Sequence, residues 1–155
     1  EKLIVTFQMT GNEIKETLER SASALVITGD GCSGDNRAPS GGFLQVSGVR
    51  FDINTKADTF CIDYDTNTVK SEGERIENLS VVTESGIVPI DMEKTYSVAA
   101  TDYISGGGDG YTNLETIPDE RKFATEINLL DLVAEEIAQN SPVSPDTDGR
   151  ITVLW

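Results

Sequence analysis

The sequence predicts an α+β domain in which mixed sheets are covered by helices. Three observations support this class: apolar and β-branched runs of strand length, at least two segments with apolar residues at helical spacing, and turn-forming residues between them. The chain has 155 residues, which is enough for one domain with a substantial core. It has no internal repeat and no internal linker, so residues 1–155 are expected to form a single domain.

The first strand and the first helix are predicted from residues 3–25. Residues 3–9 are apolar and β-branched, and Thr10 followed by Glu13 forms the capping-box pattern that begins a helix. The helix then carries one apolar stripe, formed by Ile14, Leu18, Ala22 and Leu25. Its charged residues are expected to face water: Lys15, Glu16, Glu19 and Arg20.

The remaining elements are predicted from the same two signals, apolar pattern and turn residues. Residues 29–42 are rich in Gly, Ser, Asp, Asn and Pro and predict a long surface loop. Strands are predicted at residues 43–53, 74–82, 95–104 and 149–154. A second amphipathic helix, ending near Asn140 and Pro142, is predicted from Ile127, Leu130, Val133, Ala134 and Ile137.

The charge and the residue types present exclude several classes of function. The chain has 27 acidic and 12 basic residues, a formal net charge of −15. Because Lys and Arg hold phosphate backbones and anionic membrane surfaces, this balance argues against both partners. Histidine is absent, which excludes Ser-His-Asp, Cys-His and His-Asp catalysis within the chain. The two cysteines, Cys32 and Cys61, leave two possibilities open, a disulfide or two buried thiols.

Residues 103–111, Tyr-Ile-Ser-Gly-Gly-Gly-Asp-Gly-Tyr, are the most informative segment. A glycine cluster is costly to order and marks a tight turn or a close approach of backbone to another group. Tyr103 offers a flat stacking face, and Asp109 offers an acceptor for hydroxyl or amine donors. The segment is therefore either a structural turn or a loop that binds a ring and a polyol. A phosphate loop is disfavoured, because no Lys-Ser or Lys-Thr follows and Asp109 would repel the anion.

A second polar segment has some of the spacing of a calcium loop. Residues 63–67 supply Asp, Asp and Asn oxygens, and Glu74 follows at the distance of the last ligand. However, Thr68 stands where the sharp turn requires glycine, and the flanks predict strands rather than helices. A polar hairpin is favoured, and no metal ligand is assigned within the chain.

Four sequence blocks stand in order along nearly the whole chain. They are GFLQVSGVRF at residues 42–51, GERI at 73–76, PIDMEKTYSVA at 89–99 and YISGGGDGY at 103–111. Together they resemble the C-terminal domain of the 5′-nucleotidase and UDP-sugar hydrolase family. The resemblance implies the fold of that domain, with layers in the order α/β/β/α.

The resemblance also implies the roles of individual residues. In that family the C-terminal domain forms the substrate-specificity pocket, in which two aromatic rings enclose the base. Matched by motif, Tyr103 stands where the family has a stacking Phe, and Asp109 is the carboxylate that binds the ribose hydroxyls. Gly107, Gly108 and Gly110 would let the backbone approach the substrate. The second aromatic lies, in the family, just before the first strand of this chain.

The catalytic groups of the family lie upstream, in a metallophosphatase domain with two divalent metals of the zinc or manganese class. The chain is therefore expected to be part of a longer secreted, cell-surface or periplasmic hydrolase, without catalytic residues and inactive alone. Its expected partners are a nucleotide or nucleoside and the metallophosphatase domain of the same protein. Two alternatives remain open: a 2′,3′-cyclic-nucleotide phosphodiesterase or UDP-sugar hydrolase, and a non-enzymatic surface module that binds nucleosides.

Overall fold

The computed structural model describes residues 2–155 apart from residues 28, 30, 33–39, 64 and 67. In this part of the chain, helices and strands are mixed along the sequence. The strands are β1 (Leu3–Thr10), β2 (Val49–Asn54), β3 (Cys61–Asp63), β4 (Thr68–Ser71), β5 (Ile76–Thr83), β6 (Gly86–Pro89), β7 (Thr95–Thr101), β8 (Lys122–Asn128) and β9 (Ile151–Leu154). The helices are α1 (Gly11–Ala22), α2 (Asp102–Ser105), α3 (Thr112–Glu115) and α4 (Leu129–Asn140). Short 3₁₀ turns lie at Ser40–Gly42, Gly108–Gly110 and Asp119–Arg121. The predicted α+β class is confirmed.

The strands form a three-stranded sheet, a four-stranded sheet and a separate hairpin. The three-stranded sheet is antiparallel and has the order β7-β1-β8. The four-stranded sheet has the order β6-β5-β2-β9 and is mixed, because β9 runs parallel to β2 while the other pairs are antiparallel. Strands β3 and β4 form the hairpin. The core lies between the two larger sheets and contains the inward side chains of β1, α1, β2 and β5.

Strand β1 and the start of α1 confirm the prediction for this segment. Alternate β1 residues are buried, and the Thr10 hydroxyl accepts from the Glu13 amide at 3.2 Å while the Glu13 carboxylate accepts from the Thr10 amide at 2.7 Å. This is the reciprocal capping box. Arg121 donates to the same carboxylate, and this hydrogen bond holds the pKa of Glu13 below its ordinary value.

Helix α1 is buried on more of its surface than the apolar pattern predicts. Ile14, Leu18 and Ala22 are buried as predicted. The prediction that Glu19 and Arg20 face water is wrong, because these side chains are only 2% and 1% exposed. Both are inside because the surrounding backbone supplies their hydrogen-bond partners, as described below.

Three predicted element boundaries are corrected by hydrogen bonds of single residues. The strand predicted at residues 43–53 starts at Val49, since the Leu44 amide donates to the Ser21 hydroxyl instead of a neighbouring strand. The strand predicted at residues 95–104 ends at Thr101, whose side chain caps α2. In the second helix Ile127 belongs to β8, because Asn128 is the cap.

The other predicted elements keep their type. The strands predicted at 74–82 and 149–154 are β5 and β9. The second helix ends at Asn140, as predicted, but its apolar face is not buried, and Leu130 is 71% exposed. None of the helices in the described ranges is long and apolar enough to cross a membrane. Most of the loop predicted at residues 29–42 lies outside the described residues.

The two cysteines form the disulfide Cys32–Cys61, with the Cα atoms 5.8 Å apart. Of the two possibilities left open by the sequence, the structure has the disulfide. It joins the segment after α1 to the start of the β3-β4 hairpin, across 29 residues of sequence.

The segment considered for calcium is the polar hairpin that the sequence favours. The Asp63 carboxylate accepts from the amides of Asp65 and Thr66 at 3.1 and 3.2 Å. Lys70 pairs with it at 3.3 Å. The Thr66 amide and then Lys70 hold the pKa of Asp63 below its ordinary value. Residues 64 and 67 lie outside the described ranges.

Candidate functional site

The glycine loop, residues 103–111, connects the end of β7 to α3. Thr101 ends the strand and caps α2, so Tyr103 lies on a short helix rather than on the predicted strand. After Gly106 and Gly107 the chain forms the 3₁₀ turn Gly108–Gly110. The loop therefore follows β7, an edge strand of the three-stranded sheet.

Two of its glycines are required by the protein itself, Gly107 by its backbone conformation and Gly108 by close packing. Gly107 has φ +86°, a left-handed conformation, and a Cβ there would lie 2.9 Å from Glu115 Oε2. A Cβ on Gly108 would lie 2.6 Å from the Tyr103 ring atoms Cε1 and Cζ and equally close to the Tyr103 carbonyl oxygen. The left-handed backbone at Gly107 and the packing of Gly108 on Tyr103 account for both glycines whether or not a ligand binds.

The structure brings the two main predicted site residues together. The Tyr103 hydroxyl donates to Asp109 Oδ1 at 2.9 Å and accepts from the Asp109 amide at 3.3 Å. Asp109 has φ +54°, which few residues other than glycine adopt. Since Tyr103 contacts Asp109 through both hydrogen bonds, the ring and the carboxylate are held side by side.

The Tyr103 ring is accessible from solvent. The residue is 49% exposed, and Lys2 Nζ lies 5.5 Å from its ring centroid, within cation–π range. A carboxylate has about four lone-pair sites, so Asp109 can accept further donors while it keeps the bond to Tyr103. An exposed ring beside an acceptor is suited to bind a flat group that carries hydroxyls.

The aromatic residue at the other end of the loop belongs to the core. Tyr111 is 0% exposed, and its hydroxyl donates to the Gly42 carbonyl oxygen at 2.5 Å. Gly42 also packs on the carboxylate residue of the loop, since a Cβ on Gly42 would lie 3.1 Å from Asp109 Cβ. The first and last of the four sequence blocks are thus in contact.

The sequence does not predict that Arg20 contacts the glycine loop, but its guanidinium binds the backbone of that loop. Its Nε donates to the Gly110 carbonyl oxygen at 3.1 Å, and its Nη2 donates to the carbonyl oxygen of Asp109. Gly110, the last predicted site glycine, has φ +77°. The apolar spacing of α1 places Arg20 outside the apolar stripe, so the sequence pattern gives no signal for this contact.

The block at residues 73–76 has a structural role. The Glu19 carboxylate accepts from the amides of Arg75 and Ile76 at 2.8 and 2.9 Å. Arg75 is fully buried and donates to the Leu25 carbonyl oxygen at 2.9 Å. Gly73 has φ +79°, and a Cβ there would lie 2.8 Å from the Phe60 nitrogen. This block joins α1 to the four-stranded sheet.

A large cavity lies elsewhere. It is a cleft of about 950 Å³ between the two larger sheets, lined mainly by apolar side chains. Its charged lining residues are Asp91 and Lys94, and it includes neither Tyr103 nor Asp109. We place the candidate site at the glycine loop because an exposed ring and a hydroxyl acceptor meet there at the surface.

The groups that the glycine loop presents are ones that can bind a ligand. Within the described residues, no three His, Cys, Asp or Glu side chains come together in a way that could hold a metal ion. The loop offers a ring, a carboxylate and backbone groups, and the sequence has no histidine to act as a general base.

Comparisons with known proteins identify the family. The family profile of the 5′-nucleotidase C-terminal domain matches residues 1–116. A 5′-nucleotidase-related protein of Glossina morsitans morsitans is 27% identical over 98% of this chain and 24% of its own length. A snake venom 5′-nucleotidase of Macrovipera lebetinus is 28% identical over 95% of this chain and 31% of its own length.

A solved structure extends the similarity to the fold. The 5′-nucleotidase precursor from Thermus thermophilus superimposes with a TM-score of 0.76 and 28% identity, over 99% of this chain and 25% of that one. The chain thus spans about a quarter to a third of the proteins it resembles. By sequence and by fold, it belongs to the family of 5′-nucleotidase C-terminal domains.

Proposed function

We propose that this chain is the substrate-specificity domain of a 5′-nucleotidase-type phosphohydrolase and that its glycine loop binds the nucleoside part of the substrate. The observation that carries the proposal is the exposed Tyr103 ring beside the Asp109 carboxylate, linked to it at 2.9 Å. Tyr103 stacks on the base, and Asp109 accepts hydrogen bonds from the ribose hydroxyls. The backbone at Gly107, Gly108 and Gly110 lies against the substrate.

The charge of the chain agrees with binding of the nucleoside part of the substrate and not of its phosphate. A net charge of −15 disfavours a phosphate group, whereas a nucleoside is neutral. Stacking of a base on an aromatic ring contributes about 1–3 kcal/mol. A hydrogen bond to a charged acceptor contributes about 1.5–3 kcal/mol more. Together these contributions amount to about 2.5–6 kcal/mol, and the middle of that range corresponds to a dissociation constant of about 1 mM.

The hydrolysis itself is assigned to a companion metallophosphatase domain of the same protein, which would hold two divalent metals. The chain alone is then inactive, and residues 1–155 act as one domain of a longer protein. We place that protein outside the cell or in the periplasm, because disulfides such as Cys32–Cys61 persist in oxidising compartments. A relative from snake venom supports the same location.

The proposal is tested by titrating the isotope-labelled chain with adenosine and recording the amide signals by NMR. We expect the signals of residues 106–110 to shift with a millimolar dissociation constant. The matched control ligand is 2′,3′-dideoxyadenosine, which keeps the base and the 5′-hydroxyl and lacks the 2′- and 3′-hydroxyls. We expect it to bind about tenfold more weakly or worse, because Asp109 then has no 2′- or 3′-hydroxyl to accept from.

Two results contradict the proposal. If adenosine shifts no signal in the glycine loop at concentrations well above the millimolar range, the loop is not a nucleoside site. Equal affinities for adenosine and the dideoxy compound show that Asp109 does not bind the ribose.

The stacking role of Tyr103 is tested by two substitutions at that position. Tyr103→Ala removes the ring and is expected to weaken adenosine binding by about 5- to 150-fold, the factor that corresponds to a stacking energy of about 1–3 kcal/mol. Tyr103→Phe keeps the ring, removes the hydroxyl that holds Asp109, and is expected to have the smaller effect. Equal losses in the two variants contradict stacking and leave only the hydroxyl as the functional group.

A further inference from the structure

Arg20 is a buried cation whose hydrogen bonds reach the backbone under the proposed ribose-binding residue. It lies on α1, is 1% exposed, and is separated from the glycine loop by about 90 positions in sequence. Its Nε donates to the Gly110 carbonyl oxygen at 3.1 Å, and its Nη2 donates to the carbonyl oxygen of Asp109. One guanidinium therefore holds two consecutive carbonyl groups.

The guanidinium is itself held on several sides. Its Cζ lies 5.1 Å from the centroid of the Tyr111 ring and 5.9 Å from that of Phe60. Its Nη1 donates to the Ser23 hydroxyl at 3.2 Å. A planar group fixed in this way loses little further freedom when it forms a forked contact.

The carbonyl groups that Arg20 holds belong to residues with unusual backbone. Asp109 has φ +54° and Gly110 has φ +77°, so two successive residues are left-handed. Left-handed backbone is unfavourable for most residues with a Cβ, although less so for Asp, and contacts from the surroundings help to fix it. Because the Asp109 carboxylate projects from this backbone, its direction depends on the carbonyl groups that Arg20 holds.

We infer that Arg20 is a positioning residue that fixes the backbone of Asp109 and so aims its carboxylate at the ribose hydroxyls. The inference rests on the proposed function for the identity of the ligand. The claim that Arg20 fixes the backbone of the loop does not depend on that function. Lysine cannot replace Arg20 in this role, because an ammonium group is a compact point charge without the planar fork. The rigidity of the loop is therefore set by α1 and not by the loop alone.

The first test needs no ligand and measures amide hydrogen exchange in the chain. In the glycine loop the Gly110 amide donates to Gly107 and the Tyr111 amide donates to Gly108. We expect Arg20→Lys to speed the exchange of both amides by about tenfold or more and to leave the β5 amides unchanged. Lys56→Met, which alters an exposed cation away from the loop, is expected to change neither. Unchanged exchange at Gly110 and Tyr111 in Arg20→Lys overturns the inference.

The second test measures affinity with adenosine and 2′,3′-dideoxyadenosine. Arg20→Lys is expected to weaken adenosine binding by about tenfold and to change the binding of the dideoxy compound little, since only the ribose contact is misaligned. Faster exchange with full adenosine affinity overturns the positioning role. If the unmodified chain does not bind adenosine, the proposed function fails, while the exchange data still decide whether Arg20 holds the loop.

If Arg20→Lys does not fold, a measurement on the unmodified chain still tests the inference. The Nε–H proton of Arg20 is expected to give its own NMR signal, to exchange slowly with water, and to show a contact to Gly110. Arg150, whose Nε donates to the Asp148 carboxylate at the surface, supplies the reference for an exposed, ion-paired guanidinium. Exchange of the Arg20 proton as fast as that of Arg150 overturns the inference.

Discussion

Glu19→Ala is expected to lower the free energy of unfolding by about 2–6 kcal/mol, because it leaves two buried amides without an acceptor at about 1–3 kcal/mol each. Those amides belong to Arg75 and Ile76, at the start of strand β5. The loss also breaks the ion pair between Glu19 and Lys15, whose N···O distance is 2.7 Å. Domains of this size are stable by only about 5–15 kcal/mol, so the change is large. Urea unfolding followed by circular dichroism measures it.

Glu16→Ala is the matched control for this prediction. It removes the same side chain from the same helix, but burial and the nearby Glu72 raise the pKa of Glu16, so its carboxylate is not stabilised by its surroundings. We expect a change within about 0.5 kcal/mol. Equal shifts of the unfolding midpoint in the two variants contradict the anchoring role of Glu19.

The largest functional effect is expected from Asp109→Ala in the full-length protein. Loss of a charged acceptor for the ribose hydroxyls removes about 1.5–3 kcal/mol of binding. This corresponds to a rise in KM for adenosine monophosphate of about 10- to 150-fold. The turnover number is expected to change less, because in the proposed function the reacting phosphate is held by the companion domain. Steady-state kinetics of the variant and the unmodified protein measure the two constants.

Asp119→Ala provides the control for the loss of one negative charge. Asp119 is exposed in the 3₁₀ turn before β8, outside the glycine loop. Its replacement is expected to leave KM unchanged. An unchanged KM in Asp109→Ala contradicts the proposed function, whereas a rise in both variants points to overall charge as the cause.

The sequence is sufficient to predict those parts of the fold that depend on local signals. The capping box of Thr10 and Glu13 and the alternation in β1 involve neighbours in sequence, and both are confirmed. The boundaries at Val49 and Thr101 depend instead on distant or competing hydrogen bonds. Apolar spacing does not contain that information.

The same limit applies to the candidate site. Tyr103 and Asp109 could be selected from the sequence because ring, glycines and carboxylate are adjacent in the chain. The burial of Glu19 and Arg20 could not be predicted, since it depends on backbone groups that the fold brings to α1 from residues 75, 76, 109 and 110. A charged residue on a helix is expected to be solvated unless those partners are known.

The topology of the two larger sheets has a consequence for biosynthesis. Strand β1 leaves the ribosome before the other strands, yet it is the central strand of its sheet, and its partners β7 and β8 follow only at residues 95–101 and 122–128. In the other sheet, β2 cannot pair with β9 until residues 151–154 have been synthesised. A nascent chain that stops before residue 122 therefore offers β1 one of its two neighbours. The N-terminal half cannot complete either sheet until residues 122–154 have been synthesised, and both halves must fold together.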